Sequence, residues 1–356
     1  MPGAHAKREP PNAAASDGRW EVRRVRIAIF GAGRIGPLHA RTLLEHEAVQ
    51  RLTITDVVAE RAERAAQELG IDAVSSMDEA LDGADAAVIT VSTEGHPALI
   101  RAALAHGLPT FCEKPLAASL AESVALMAEV EASGVPFQLG FQRRFDPAYV
   151  EARRLIASGE LGSLYMLSLR SHDPEPASEE FIASSGGMFS DLSIHDLDVL
   201  RYLTGSEVEE VFCLGSARGF PLYEKYDDYA MAVAAMKLVD GTPVVLSWAR
   251  HDPLGHDVRT EIFGSRDSVS VGVGPRMPLR SLEPGVPPPA GPPWHIFLDR
   301  WDDAYHDEMI AFIDVARGKR VSPCSARDGV EALRIAEALA IAAAEHRLVA
   351  LAEITA

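Results

Sequence analysis

Residues 25–36 read VRIAIFGAGRIG, and the fold turns on how these twelve positions are understood. Five of the first six are apolar and three of them β-branched, as in a parallel strand buried on both faces. Glycines follow at 31, 33 and 36, with Arg34 and Ile35 between the last two, and a helical pattern begins directly afterwards. Gly31 permits a tight turn, Gly33 lets the backbone approach a pyrophosphate, and Gly36 lets the helix lie against the strand. The helix N-terminus then faces the phosphates. A glycine turn alone is weak, since a chance turn or a methyltransferase site shows the same pattern. Here the next strand, RLTITD (51–56), ends in Asp56, about twenty residues on, where a carboxylate that accepts from ribose hydroxyls is expected. Such a carboxylate repels a 2′-phosphate, so NAD is favoured over NADP.

Outward from this unit, strand and helix alternate. A helix over 59–70 closes at Gly70, and DAAVITV (85–91) is a third clear strand. A helix from Pro97 to His106, the strand and loop LPTFCEKP (108–115), another helix and VPFQLGF follow. This alternation predicts a doubly wound α/β sheet. After about residue 145 the pattern changes to alternating, half-exposed strands at SLYMLSLRSH, EVFCLGSAR, YAMAVAAMKLVDG, TPVVLSWAR and VRTEIFGSRDSVSVG. These predict an open, mostly antiparallel sheet in an α+β domain. A Pro/Gly-rich loop (274–293) and helices over 301–317 and 325–347 end the chain. The expected division is a disordered tail (1–24), a Rossmann domain (25–144) and a substrate-binding and oligomerisation domain (145–356). The final helix is placed to pack back on the first domain.

With 356 residues, 47% of them hydrophobic, the chain has material for two cores. A net charge of −18 disfavours nucleic acid or an anionic membrane as partner. No apolar run reaches spanning length, and the first residues lack the apolar core of a secretory signal. Cys112, Cys213 and Cys324 are too scattered for a metal site, so reduced thiols and a cytoplasmic location are expected.

Two further stretches carry chemistry. FCEKPLA (111–117) falls at the carboxyl end of a strand, where doubly wound sheets bind ligands, and Lys114 there could stabilise charge on a substrate oxygen. A solvated lysine beside Glu113 is the plain alternative. In GGMFSDLSIHDLDVLRYL (186–203), Asp191 and His195 stand one helical turn apart. Alone, such a pair is more often structural; beside a dinucleotide site, His195 becomes a base for a hydroxyl proton. Asp191 would then hold the imidazole or a substrate hydroxyl.

These motifs, with GFQRRFDP (140–147), resemble the Gfo/Idh/MocA oxidoreductases in order and separation, over roughly residues 25–350. The likeness is greatest to inositol 2-dehydrogenases, through RSHDP (170–174), SSGGMFSDLSIHDLD (184–198) and FLDRWDDAYHDEMIAFI (297–313). The resemblance implies bound NAD, catalytic Lys114, Asp191 and His195, a cyclitol or similar sugar as substrate, and a sheet that supports dimers or tetramers. Ser92, Thr93, His96, Glu113, Gln142 and Arg143 are expected near the cofactor, and His172, Asp198 and His256 near the substrate. One departure stands out. Inositol-type members tend to carry a Tyr-Gly-Tyr-Asp-like segment before the late EIFG strand, where this chain has PLGHD (253–257), with His256 in place of an aromatic hydroxyl. Two rivals remain: a glycoside-processing enzyme that oxidises transiently with tightly held NAD, and a non-catalytic NAD-binding subunit.

Overall fold

The computed structural model describes residues 24–355; the expected N-terminal tail lies almost wholly outside them. Strand β1 (Val25–Phe30) is buried along nearly its whole length, as its apolar run requires. It is joined by β2 (Val49–Thr55), β3 (Asp72–Ala73), β4 (Ala86–Ile89), β5 (Thr110–Glu113) and β6 (Phe137–Gly140) in the parallel order β3-β2-β1-β4-β5-β6. The two-residue β3 is too short to leave a pattern in the sequence. Strand order reverses between β1 and β4, which opens a crevice at the carboxyl ends of these strands. The helix over Ala59–Leu69 ends at left-handed Gly70, as its sequence predicts.

The second sheet contains β7 (Leu164–His172), β8 (Val208–Ser216), β9 (Met231–Leu238), β10 (Pro243–Ala249), β11 (Asp257–Gly264), β12 (Ser268–Val271) and β13 (Val349–Ala350). Their order is β12-β11-β7-β10-β9-β8-β13. All pairs are antiparallel except β7 with β10, and that exception shapes the site. Because β7 and β10 run together while β11 opposes them, the residue after β7, the residue after β10 and the residue before β11 meet at one end of the sheet. These are Asp173, Arg250 and His256. Along β9 and β10, buried and exposed residues alternate, so one sheet face is covered and the other open.

The helix over Ala326–Glu345 covers part of that inner face and also packs on the helix Leu120–Ser133 and β6. Gly329 permits this approach, since a Cβ there would stand 2.4 Å from the Leu139 side chain. One continuous hydrophobic core therefore reaches from Ile89 and Leu139 to Leu246, Trp248 and Leu339. Among the described residues, no helix is long and apolar enough to cross a membrane.

Candidate active site

The glycine turn divides its three glycines by what constrains them. Gly31 has φ +109° and would bring a Cβ within 2.8 Å of the Thr90 backbone, while a Cβ at Gly36 would lie 2.0 Å from the Gly31 carbonyl oxygen. The fold itself excludes side chains at both. A Cβ at Gly33 meets nothing within 4 Å, so space stands open above the middle of the turn. The helix over Ile35–Glu45 begins after Arg34 with no side-chain cap, leaving its first N–H groups for an anion. These features fit a dinucleotide pyrophosphate. Asp56 accepts from Ala32 N (2.7 Å) and Val58 N (2.8 Å), which ties the turn to the end of β2. Each of its oxygens keeps a second lone pair for a ribose hydroxyl. Ser92 is exposed and Thr93 half-buried at the short turn after β4.

His96, expected near the cofactor, holds backbone rather than facing solvent. Its ring is buried, with Nδ1 2.8 Å from the Pro115 carbonyl oxygen and Nε2 3.1 Å from that of Val91. It offers nothing free to a cofactor and instead ties the turn after β4 to the loop that carries Lys114. Burial lowers its pKa.

Lys114 crosses from the Rossmann sheet to the second half of the chain. Its Nζ donates to Asp191 Oδ1 (3.0 Å) and to the Asp191 carbonyl oxygen (2.9 Å). That carbonyl lies in a π-helical turn, Phe189–Ser193, which precedes the α-helix Ile194–Thr204. Such wide turns are frequent at functional sites. Arg250 Nη1 donates to Asp191 Oδ2 (2.9 Å) and lies 3.6 Å from Asp173 Oδ2. Burial pushes the Asp191 carboxyl up, but Lys114 and Arg250 outweigh it and hold it below the usual range. Asp173, raised chiefly by burial against Arg250, titrates at about 6.

Of the two roles left open for Asp191, the hydrogen bond to His195 does not form among the described residues; its oxygens accept from Lys114 and Arg250 instead. His195 Nδ1 is buried without a partner among the described residues, and its ring meets Phe141 edge-on at 6.0 Å. Burial, followed by Lys114, Arg143 and His256, sets its pKa well below 6.5. The imidazole is therefore neutral at physiological pH, with a lone pair able to take a proton.

His256 is buried, neither ring nitrogen meets full hydrogen-bond geometry with a partner among the described residues, and its Nδ1 lies 3.7 Å from Asp173 Oδ1. Burial, Arg143 and Arg300 push its pKa down to about 3. His172 is half-buried at the end of β7, 3.5 Å from Asp252 and 3.3 Å from Ser247 Oγ.

Two other expectations give way. Arg143 is buried, not open to a nicotinamide: it donates to Asp196 (2.6 Å) and Ser171 (3.1 Å), while Trp248 Nε1 also donates to Asp196 (2.8 Å). Asp198 is likewise buried rather than free for substrate, with both oxygens taken by Arg144. The consecutive arginines of the turn Gln142–Phe145, in which Gln142 is also buried, thus reach alternate aspartates of the His195 helix. They dock the two halves of the chain beneath the site. Buried pairs of this kind are costly to break, because loss of one partner strands the other.

Sequence reading missed Arg250, Asp173 and Asp228, whose Oδ1 accepts from Met188 N (2.9 Å) just before the π-turn. Asp173 lies within the quoted stretch RSHDP without having been singled out, and Arg250 is visible as a charge closing the run VVLSWA.

Comparison with known proteins identifies both halves. The family model described as "Oxidoreductase family, NAD-binding Rossmann fold" matches residues 25–141, and the GFO/IDH/MocA C-terminal domain matches residues 149–270. A myo-inositol dehydrogenase (Hyg17) of Streptomyces leeuwenhoekii is 38% identical over 314 residues, covering 87% of this chain and 94% of its own. The scyllo-inositol 2-dehydrogenase (NAD(+)) of Bacillus subtilis is 36% identical over 300 residues, covering 82% and 86%. Among solved structures, a scyllo-inositol dehydrogenase from Lactobacillus casei with bound NAD(H) and scyllo-inositol superposes with TM-score 0.83 at 29% identity, covering 92% of this chain and 99% of that one.

Proposed function

The chain belongs to the Gfo/Idh/MocA family of oxidoreductases, and from that premise we propose that it oxidises a secondary alcohol of a cyclitol or closely similar sugar, with NAD as cofactor. The observation that carries this reading is Lys114 reaching from the cofactor-side sheet to Asp191, with a neutral His195 whose Nδ1 has no partner among the described residues. NAD, when bound along the glycine turn, supplies the hydride acceptor.

The chain's own residues do the rest. Lys114 holds the reacting hydroxyl oxygen and stabilises negative charge as the proton leaves. His195 accepts that proton. Asp191 holds Lys114 in place, and Arg250 keeps Asp191 ionised, so the charges of Lys114, Asp191, Arg250 and Asp173 sum to zero before substrate arrives. A neutral base in a neutral cluster suits an uncharged polyol better than an anionic sugar acid. His256, able to donate from one ring nitrogen and accept at the other, would bind a neighbouring hydroxyl, with His172 at the rim.

A second copy of the chain is proposed to cover the open face of the second sheet, where Leu214, Val233 and Val245 are exposed. Light scattering tests this, and a monomer at micromolar concentration would refute it. The function is tested by mixing inositol isomers and pyranoses with NAD or NADP and following nicotinamide absorbance. Stoichiometric NADH release with a cyclitol and NAD is expected. Conversion without net NADH would instead favour a glycoside-processing enzyme.

A further inference from the structure

Behind Lys114 lies a group of titratable side chains that the proposed chemistry does not use. Glu113, the last residue of β5, accepts from or is bonded to His39 Nε2 at 2.8 Å. Glu308, on the helix Asp302–Ala316, is fully buried, and both its carboxyl oxygens lack a hydrogen-bond partner among the described residues. One ligand-capable atom from each of His39, Glu113 and Glu308 lies within 4.8 Å of the others. Tyr305, one turn before Glu308, meets the His39 ring edge-on at 5.8 Å. Gln138 Nε2 donates to the Glu308 carbonyl oxygen (3.0 Å), fastening that helix to β6.

Two carboxyl groups this close in a buried place cannot both ionise. Their environments decide which keeps the proton. Glu113 retains some exposure and has the His39 ring as partner, with Lys114 next in sequence. Glu308 has no exposure and no donor, and Asp198 adds further negative charge on its side. Arg143 and Arg34 both act to lower the Tyr305 pKa, against the rise caused by burial, Glu113 and Glu308, and among the described residues neither bonds to the Glu308 carboxyl.

We propose that Glu308 stands as the neutral acid and shares its hydroxyl hydrogen with the Glu113 carboxylate through one bridging water, so that helix 302–316 holds from behind the strand end that carries Lys114. Glu308 is thereby a positioning residue: it acts on Lys114 through Glu113 and touches neither substrate nor cofactor. The raised pKa of its carboxyl, caused by burial and then by Glu113, agrees with this state. The inference rests on the role given to Lys114 above.

The test compares Glu308→Gln with Glu308→Leu in the full chain with NAD bound. Gln keeps the shape and a donor but cannot ionise; Leu keeps the volume and removes the donor. Expected is a kcat within about threefold of the parent for Gln, and a loss on the order of ten- to a hundredfold for Leu with little change in substrate KM. Difference infrared spectra of the parent minus Glu308→Gln, without substrate at neutral pH, should show a protonated carboxyl band. Full activity in both variants would reduce Glu308 to packing and overturn the proposal. Equal damage in both would also overturn it, pointing to an ionised carboxylate or a metal ligand, and stoichiometric metal in the parent would identify the latter. The infrared band decides the matter even if Leu fails to fold. It also decides it if no alcohol is oxidised, an outcome that would defeat the dehydrogenase reading separately.

Discussion

The glycine turn and the Lys114 cluster handle charge in opposite ways. At residues 31–36 the backbone presents partial charges from N–H groups, needs no charged side chain, and draws on one short segment plus Asp56. At the cluster, full charges from four separate segments neutralise one another in a partly buried space. The first site is intolerant of added carbon, the second of a missing charge. On the proposed function, binding the diphosphate and moving the proton should therefore be separable by mutation.

The sharpest break in this comparison is His195→Ala, expected to lower kcat by about 10²- to 10⁴-fold while NAD affinity stays within a few-fold. Loss of NAD binding in a fluorescence titration would sink the assignment of His195 as base. Because the imidazole must be neutral and its pKa lies well below 6.5, the acid limb of kcat/KM should also fall below that value. Lys114→Met removes a cation that lowers this pKa, so its residual activity should show the acid limb moved upward. A limb that does not move would assign the titration to another group.

Next comes Arg250→Leu, which leaves Asp191 with one bonded cation, Lys114, and Asp173 with only the more distant Arg143. A destabilisation of about 3–5 kcal/mol is expected from urea unfolding, since a buried charge is stranded. A change under 1 kcal/mol, roughly, would mean that the cluster is more solvated than its burial indicates.

The glycines should respond differently from one another. Gly36→Ala forces carbon against the Gly31 carbonyl and should cost about 1–3 kcal/mol of stability. Gly33→Val should melt like the parent but weaken NAD binding roughly tenfold or more, at about 1.4 kcal/mol per decade. Parent-like NAD affinity in Gly33→Val would move the pyrophosphate elsewhere.

The last effect is a pH dependence set by Asp173. Its folded pKa of about 6 exceeds the unfolded value of 3.8, so the native state binds more protons between those values. Stability should therefore fall as pH rises from 4 towards 6.5, by at most about 3 kcal/mol for two units. Asp173→Asn should flatten that part of the profile, and an unchanged slope would assign it to other groups.

How far the sequence could be read followed from how local each feature is. The GAGRIG turn, Asp56 and the buried β1 run depend on neighbours in the chain, and their positions in the folded protein match that reading. Lys114, Asp191 and His195 were legible as candidates but not in their partnerships: helical spacing joined Asp191 to His195, whereas Lys114 and Arg250 claim Asp191. Arg143 and Asp198 sit beside functional motifs, and adjacency suggested ligand contacts. Their burial in a docking network depends on segments more than fifty residues apart.

By itself, then, the sequence determined the Rossmann architecture, the cofactor-side turn and the residue types available for proton transfer, because strand and helix patterning and glycine sterics act over short distances. Only the tertiary structure decided that β7 and β10 run parallel. That pairing brings Asp173, Arg250 and His256 to one end of a sheet beside Lys114 and so sets the protonation state of each group. Coulomb interaction and desolvation depend on separation in space, and no spacing along the chain encodes them.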